Sequence, residues 1–371
     1  MSKPPFRVEH IGSFVRPDCL LEAARANRKG DLADDALSAI QDDCIRELIA
    51  FQERCGLQSV TDGEFRRRSW SAGFIDAVEG FGLRSEGVVT FKDEEKGDWG
   101  VASSPYAKEK LRRGRPIVAD DFRFIKPLAT ASTPKATIAS PPVMHFFLGP
   151  RAVDTAVYPD IEEYYADLAA IYQAEVADLA SAGCSYLQLD ETALPCNCDD
   201  GVRQGVRDRG EDPDGLTDRY VALVNAAIAD KPADMFVGLH MCRGNLKGAW
   251  MAEGGYEPIA EAVFNGLNIN AFFLEYDTPR AGDFEPLRFM PADKSVVLGL
   301  VSTKSPDLES ADDLKRRIEA AAKFVPLERL ALSPQCGFSS GGGSGQVISQ
   351  DDTARKIDLM HRVARDVWGE A

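Results

Sequence analysis

Ser185-Tyr-Leu-Gln-Leu-Asp-Glu191 is a short apolar run that ends in two carboxylates. It is too short for a helix and has no polar face, which is how a strand buried on both sides reads. Helix-length stretches with apolar residues at i, i+3 and i+4 flank it, at 160–183 and 217–229. Strand, helix, strand is the signature of a parallel sheet, and the same alternation extends in both directions. Upstream, strands are predicted over 9–14, 58–62 and 136–140. Downstream they fall at 235–240, 269–275, 295–301 and 329–333, with further helices at 34–55, 311–324 and 351–368. Ser349 is a suitable N-cap for the last helix, with Asp351 and Asp352 in its first turn. Eight strands separated by helices predict an α/β chain of the (β/α)8 TIM-barrel class, one domain over 1–371. A doubly wound open sheet gives the same alternation. Residues 84–135, rich in charge, Gly and Pro, break the rhythm and read as an insertion after the second strand.

The composition narrows the function. There are 59 acidic residues against 43 basic ones, a net charge of −16. No basic face is available for nucleic acid or an anionic membrane. No apolar run reaches the roughly 18–20 residues of a membrane span, and the first residues lack the apolar stretch of a signal peptide, so a cytoplasmic location is expected. Eight cysteines are too sparse for a disulfide scaffold, and there are only four histidines. The run 339–345, Ser-Ser-Gly-Gly-Gly-Ser-Gly, lacks the Gly-Lys-Ser/Thr of a phosphate-binding loop and reads as a loop before the last helix.

In a barrel the C-terminal strand ends build the site. Here they carry His240-Met-Cys242, Glu275-Tyr-Asp277 and Cys336-Gly337. One imidazole, two thiols and a carboxylate suit zinc, which accepts nitrogen, sulfur and oxygen together. His240 and Cys242 are two residues apart, so an extended backbone turns both to one side. Two thiolates weaken the metal's power to acidify water but let it hold a substrate thiol as thiolate, the reactive form. Glu275, a hard oxygen ligand, is the one to yield its place to sulfur. A zinc hydrolase or lyase lacks an obvious neighbouring base. A purely structural zinc site would draw its ligands from closely spaced pairs.

These residues, with three further motifs, resemble the cobalamin-independent methionine synthase family, in its short, single-barrel branch. His10-Ile-Gly-Ser-Phe14 resembles the family's first-strand motif. The resemblance implies that the Ile11 backbone and Ser13 hold the homocysteine carboxylate. Asp62-Gly-Glu64-Phe-Arg66 resembles the second-strand motif and Gln188-Leu-Asp190-Glu191 the fourth, with Glu64 and Asp190 on the substrate amine. Two carboxylates are the chemistry an ammonium needs. A salt bridge from Glu64 to Arg66 or Arg67 is the structural alternative.

Lys304 stands where the long enzymes carry a proton-donating histidine. It is a candidate proton donor, an anchor for an anionic group, or a solvated loop lysine. His145, in Pro142-Val-Met-His145, is a candidate catalytic residue facing the pocket or a satisfied core histidine, and the stretch lacks the tryptophan that stacks on a pterin in the long enzymes. His10 reads as structural or a pocket wall, His361 as surface, and Cys196 and Cys198 as loop cysteines. The resemblance implies zinc, a small-molecule thiol, a folate or methylcorrinoid as methyl donor, and a homodimer. Coenzyme M or glutathione, with an epoxide, ether or methylcorrinoid as electrophile, is the alternative chemistry.

Overall fold

Six strands, Ala136–Ala139, Tyr186–Glu191, Phe236–Met241, Ala271–Glu275, Ser295–Val301 and Leu330–Pro334, lie side by side in chain order in the computed structural model. Every neighbouring pair is parallel. The structure describes residues 4–84, 90–92, 97–100, 104–339 and 346–370. The strands are buried almost throughout on both faces, which is why their sequences read as unbroken apolar runs. Helices Ile161–Ser181, Pro213–Ala227, Glu257–Gly266, Ala311–Ala321 and Gln350–Trp368 return the chain between strands or close it; the first three pack in succession, and the last two pack together. Ser349 caps the last of them: its hydroxyl accepts from the Asp352 N–H, and Asp352 accepts from the Ser349 N–H in return.

The two expected strands at the N-terminal end are much shorter than predicted. Over residues 9–14 there is no ladder. A single parallel bridge joins Val8 to Leu332, and the Glu9 N–H donates to the Leu332 carbonyl at 2.9 Å. Only Ser59–Val60 remains of 58–62, parallel to Thr133–Pro134 just ahead of Ala136–Ala139. Local chemistry explains both. Gly12 has φ +136°, and the turn Gly63-Glu64 has φ +65° and +60°, so neither segment can stay extended. Among the described residues no ladder joins 8–14 to 59–62, so a closed eight-stranded ring is not detected. Side chains bridge that flank instead. The Thr61 hydroxyl donates to the Gly12 carbonyl at 2.5 Å, and Ser59 Oγ to Glu9 Oε2 at 2.9 Å.

The segment 84–135 contains part of an antiparallel hairpin, Val78–Arg84 with Ser104–Arg113, that begins before it, and then the helix Ala119–Ile125. Residues 340–345 of the Gly-rich run lie outside the described residues. No helix among the described residues is long and apolar enough to cross a membrane.

Strand parity positions everything that follows. Residues paired across a parallel sheet share a face, and every second residue returns to it. Asp190 pairs with His240 and His240 with Phe273. Tyr186, Ala271, Phe273, Val297 and Ala331 pack with Ile11 as a separate apolar cluster on that face. Asp190, His240 and Glu275 continue the same parity at the C-terminal edge.

Candidate functional site

His240, Cys242 and Cys336 converge there. One ligand atom from each lies within 4.8 Å of the others, and the two sulfurs are 3.6 Å apart. His240 is on the strand, Cys242 one residue past its end, and Cys336 just past Leu330–Pro334. The Gly244 N–H donates to Cys242 Sγ at 3.3 Å. Both ring nitrogens of His240 are buried without a hydrogen-bond partner, the state of an imidazole whose natural partner is a ligand. Burial pulls the His240 pKa down, yet the Cys242 sulfur and the Asp190 and Glu275 carboxylates outweigh it and raise it. Cys242 is pushed well above the ordinary thiol range, first by Cys336 beside it and then by burial. A divalent cation between them relieves both effects, so the donor set fits zinc.

Glu275 ends its strand opposite Gly299 and is buried. It is not among the three clustered donors, and both of its oxygens are engaged elsewhere. Its Oε1 accepts from Lys304 Nζ at 2.9 Å and its Oε2 from the Arg243 N–H at 2.8 Å. Burial works against its ionisation, but Lys304 and Arg243 win and hold its carboxyl below the usual range. Lys304 also donates to Asp277 Oδ2 at 3.0 Å. Burial opposes its charge, the two carboxylates outweigh it, and its pKa is pushed up to about 12. The lysine is a buried, doubly paired cation and not a solvated loop residue.

The three N-terminal motifs meet at the same edge. A Cβ on Gly12 would lie 3.1 Å from Glu64 Oε1, and one on Gly337 would lie 1.9 Å from Ser13 Oγ. Glycine is therefore required at both close approaches. Ser13 Oγ donates to the Ser339 carbonyl at 3.0 Å, which ties it to the chain leaving Cys336. Gln188 Nε2 donates to both the Ile11 carbonyl (2.5 Å) and Asp190 Oδ1 (2.7 Å). Burial first, then the nearby Glu64 carboxylate, pushes Asp190 up to about 6. Glu191 faces the other way and caps the next short helix, accepting from the Ala193 and Leu194 N–H groups.

Glu64 holds a left-handed backbone that costs a non-glycine residue on the order of 1 kcal/mol. Its N–H donates to Asp62 Oδ1 at 3.0 Å, and Arg16 Nη2 donates to its carbonyl at 2.6 Å. Its side chain is only 10% exposed. Thr137 Oγ1 donates to Oε1 at 3.2 Å, and Arg67 Nη1 lies 3.4 Å from the same oxygen. The ion pair with Arg67 exists, but it is buried. Arg66 turns away to Asp42 and Asp121.

Arg16 and Lys135 escaped the sequence reading, and Arg67 entered it only as one of two alternatives for Glu64. Lys135 is fully buried beneath the edge, 3.3 Å from Glu9 Oε2 and 3.2 Å from Gln188 Oε1. Lys135 stands just ahead of an apolar strand, and Arg67 in a run of three arginines, Arg66-Arg67-Arg68. Nothing in the chain marks which arginine turns inward.

The remaining histidines lie apart from the three-donor cluster. His145 sits on the short helix Val143–Phe146, its Nδ1 2.8 Å from the Tyr220 hydroxyl and its ring edge-on to Tyr165. This is the surrounding of a satisfied core histidine. His10 is buried with Nε2 3.1 Å from the Ser59 carbonyl. His361, expected at the surface, is buried on the inward face of the last helix, where a Cβ on Gly56 would lie 3.3 Å from its Nε2. Cys196 and Cys198 are buried and stand outside the three-donor cluster.

Burial, then Arg209 and Arg219, lowers the His145 pKa from 6.5 to about 3. The unfolded chain takes a proton below pH 6.5 that the folded chain refuses, so stability is full above that pH and falls towards pH 3. At pH 5 the loss is about 2 kcal/mol. In urea unfolding at pH 7.5 and 5, His145→Gln is expected to shrink the pH-dependent loss by that amount. An unchanged loss overturns the assignment.

The sequence profile described as "Cobalamin-independent synthase, Catalytic domain" matches residues 6–365. The uncharacterized protein YxjH of Bacillus subtilis is 38% identical over 369 residues, covering 99% of this chain and 96% of the relative. A solved structure from Listeria monocytogenes, assigned provisionally as a vitamin-B12-independent methionine synthase, has 31% identity and a TM-score of 0.76, with 100% of each chain covered. The methionine synthase of Pyrococcus abyssi is 26% identical over 340 residues, 91% of this chain and 88% of that one. The chain belongs to the cobalamin-independent methionine synthase family, as a relative of its catalytic domain.

Proposed function

We propose that this chain is a zinc-dependent S-methyltransferase that methylates the thiol of homocysteine to give methionine. The observation that carries the proposal is the cluster of buried His240 and Cys242 with half-buried Cys336, on the same sheet edge as Glu64 and Asp190. His240, Cys242 and Cys336, with Glu275 as fourth ligand, would hold zinc there, and the ion would supply the substrate sulfur as thiolate at neutral pH. Glu64 and Asp190 clamp the substrate ammonium, and Ser13 with the Ile11 backbone receives the carboxylate. That fixes the sulfur in line with the donor methyl, and such positioning lowers the barrier. A new S–CH3 bond forms as the donor–CH3 bond breaks, and the electron pair leaves with the donor. Lys304 is already engaged by two carboxylates, so its place in the reaction is through Glu275. Two carboxylates aimed at an ammonium favour an amino-acid thiol over a sulfonate thiol, which has no amine to clamp.

Zinc K-edge X-ray absorption of the purified protein, with and without homocysteine, tests this. Homocysteine is expected to add one Zn–S contact near ~2.3 Å in place of a light ligand. Donor assays with methylcobalamin and methyltetrahydrofolate follow from that result. A zinc shell that ignores homocysteine moves the assignment to another thiol, and a protein that binds no zinc ends it.

A further inference from the structure

Glu275 has two partners competing for one carboxylate. It ends its strand two residues beyond Phe273, the register partner of His240, and its Oε2 accepts from the N–H of Arg243, the residue after Cys242. Yet its Oε1 is 2.9 Å from Lys304 Nζ, and the ammonium also holds Asp277 at 3.0 Å. All three side chains are withdrawn from water, at 3% exposure for Glu275, 0% for Asp277 and 10% for Lys304. A carboxylate released into such a place without a cation is costly, several kcal/mol after relaxation. The Arg243 N–H at Glu275 Oε2 belongs to the backbone, so it holds one oxygen while the other changes partner.

The charge balance requires an exchange. His240, two thiolates and a divalent ion sum to zero; Glu275 adds one negative charge and a substrate thiolate adds another. Keeping both anions on one buried ion is unfavourable, and expelling Glu275 into an unpaired state is worse.

We infer that Lys304 is the receiving partner for Glu275, which moves between the His240/Cys242/Cys336 centre and Lys304 as substrate sulfur binds and leaves. This rests on the zinc–thiol reading of the site. It makes Lys304 a positioning residue that sets two affinities in opposite senses. Lys304 weakens metal binding by drawing Glu275 away, and it strengthens thiol binding by stabilising the displaced carboxylate.

The full chain is compared with Lys304→Met, Glu275→Gln and the double variant. Zn2+ affinity is read by chelator competition, and L-homocysteine affinity by the thiolate-to-metal absorption of the cobalt(II)-substituted protein. Lys304→Met is expected to tighten zinc by about ten-fold and to weaken homocysteine by about ten-fold, the lower end of what a neighbour of a metal ligand contributes. In the Glu275→Gln background both effects are expected to shrink to about two-fold or less, since there is no carboxylate to share. Lys304→Gln, whose amide still donates to Asp277, replaces the Met variant if that one does not fold. Structural damage would lower both affinities together, and that result overturns the inference, as does an effect of equal size without Glu275. Failure of the unsubstituted chain to hold zinc is a different outcome and removes the proposed function itself.

Discussion

Cys242→Ser is expected to leave the chain folded and strip it of zinc. In the proposed zinc site the thiolate is one of four donors, and a serine hydroxyl would not replace it at neutral pH, because zinc prefers the softer sulfur. Apparent zinc affinities of four-donor protein sites run near 10–16 kcal/mol, so losing one donor costs about 3 kcal/mol, a hundred-fold or more in affinity. The fold does not depend on that ion. The sheet and its helices bury a continuous apolar core, and Cys242 stands beyond the end of its strand. Zinc retained after dialysis against a chelator measures the loss, circular dichroism checks the fold, and methionine formation is expected to fall by about a thousand-fold as the thiolate is lost. Stoichiometric zinc in the variant would remove Cys242 from the ligand set, and with it the central assignment.

The sequence made this cluster legible because its logic is parity. Asp190, His240 and Glu275 end buried parallel strands whose apolar runs are unmistakable, and the register of those strands places them on one face. The N-terminal flank was less legible, because there the backbone follows glycine and side chains. Gly12 and the Gly63-Glu64 turn break extended structure, and hydroxyl bridges from Thr61 and Ser59 do the work of a ladder. Apolar periodicity carries no signal for such bonds. Buried cations were invisible for a related reason. Lys135 and Lys304 look like surface residues in the chain, and they are withdrawn from water beside carboxylates distant in sequence, Glu9 for Lys135 and Glu275 for Lys304. Lys304 shows the consequence best, since nothing near it in the chain announces Glu275 and Asp277 as its partners.

Glu64→Gln and Asp190→Asn are both expected to raise the KM for homocysteine while zinc stays bound. Each removes one charge-assisted bond to the substrate ammonium, about 1.5–3 kcal/mol, or roughly ten- to hundred-fold in KM. Their effects on stability have opposite signs. Glu64 is the ion-pair partner of the buried Arg67 at 3.4 Å, so Gln leaves a buried guanidinium short of charge and costs about 3 kcal/mol. Asp190 is pushed up to about 6 by burial and by Glu64, so at pH 7.5 its ionised form is a strain on the free protein. Asn relieves that strain by about 2–3 kcal/mol. A shared rise in KM with opposite shifts in urea midpoint therefore marks a role in binding, because damage to the fold would couple the two. The sharper measure is 4-mercaptobutanoate, which is homocysteine without its amine. A site built to bind the ammonium rejects this analogue by about a hundred-fold or more, because its carboxylates are left unpaired. Both variants are expected to lose most of that discrimination, since the amide no longer rewards a cation. Equal discrimination in the variants and the parent chain would mean that the amine is bound elsewhere, and Glu64 and Asp190 would revert to a buried structural pair held by Arg67 and Gln188.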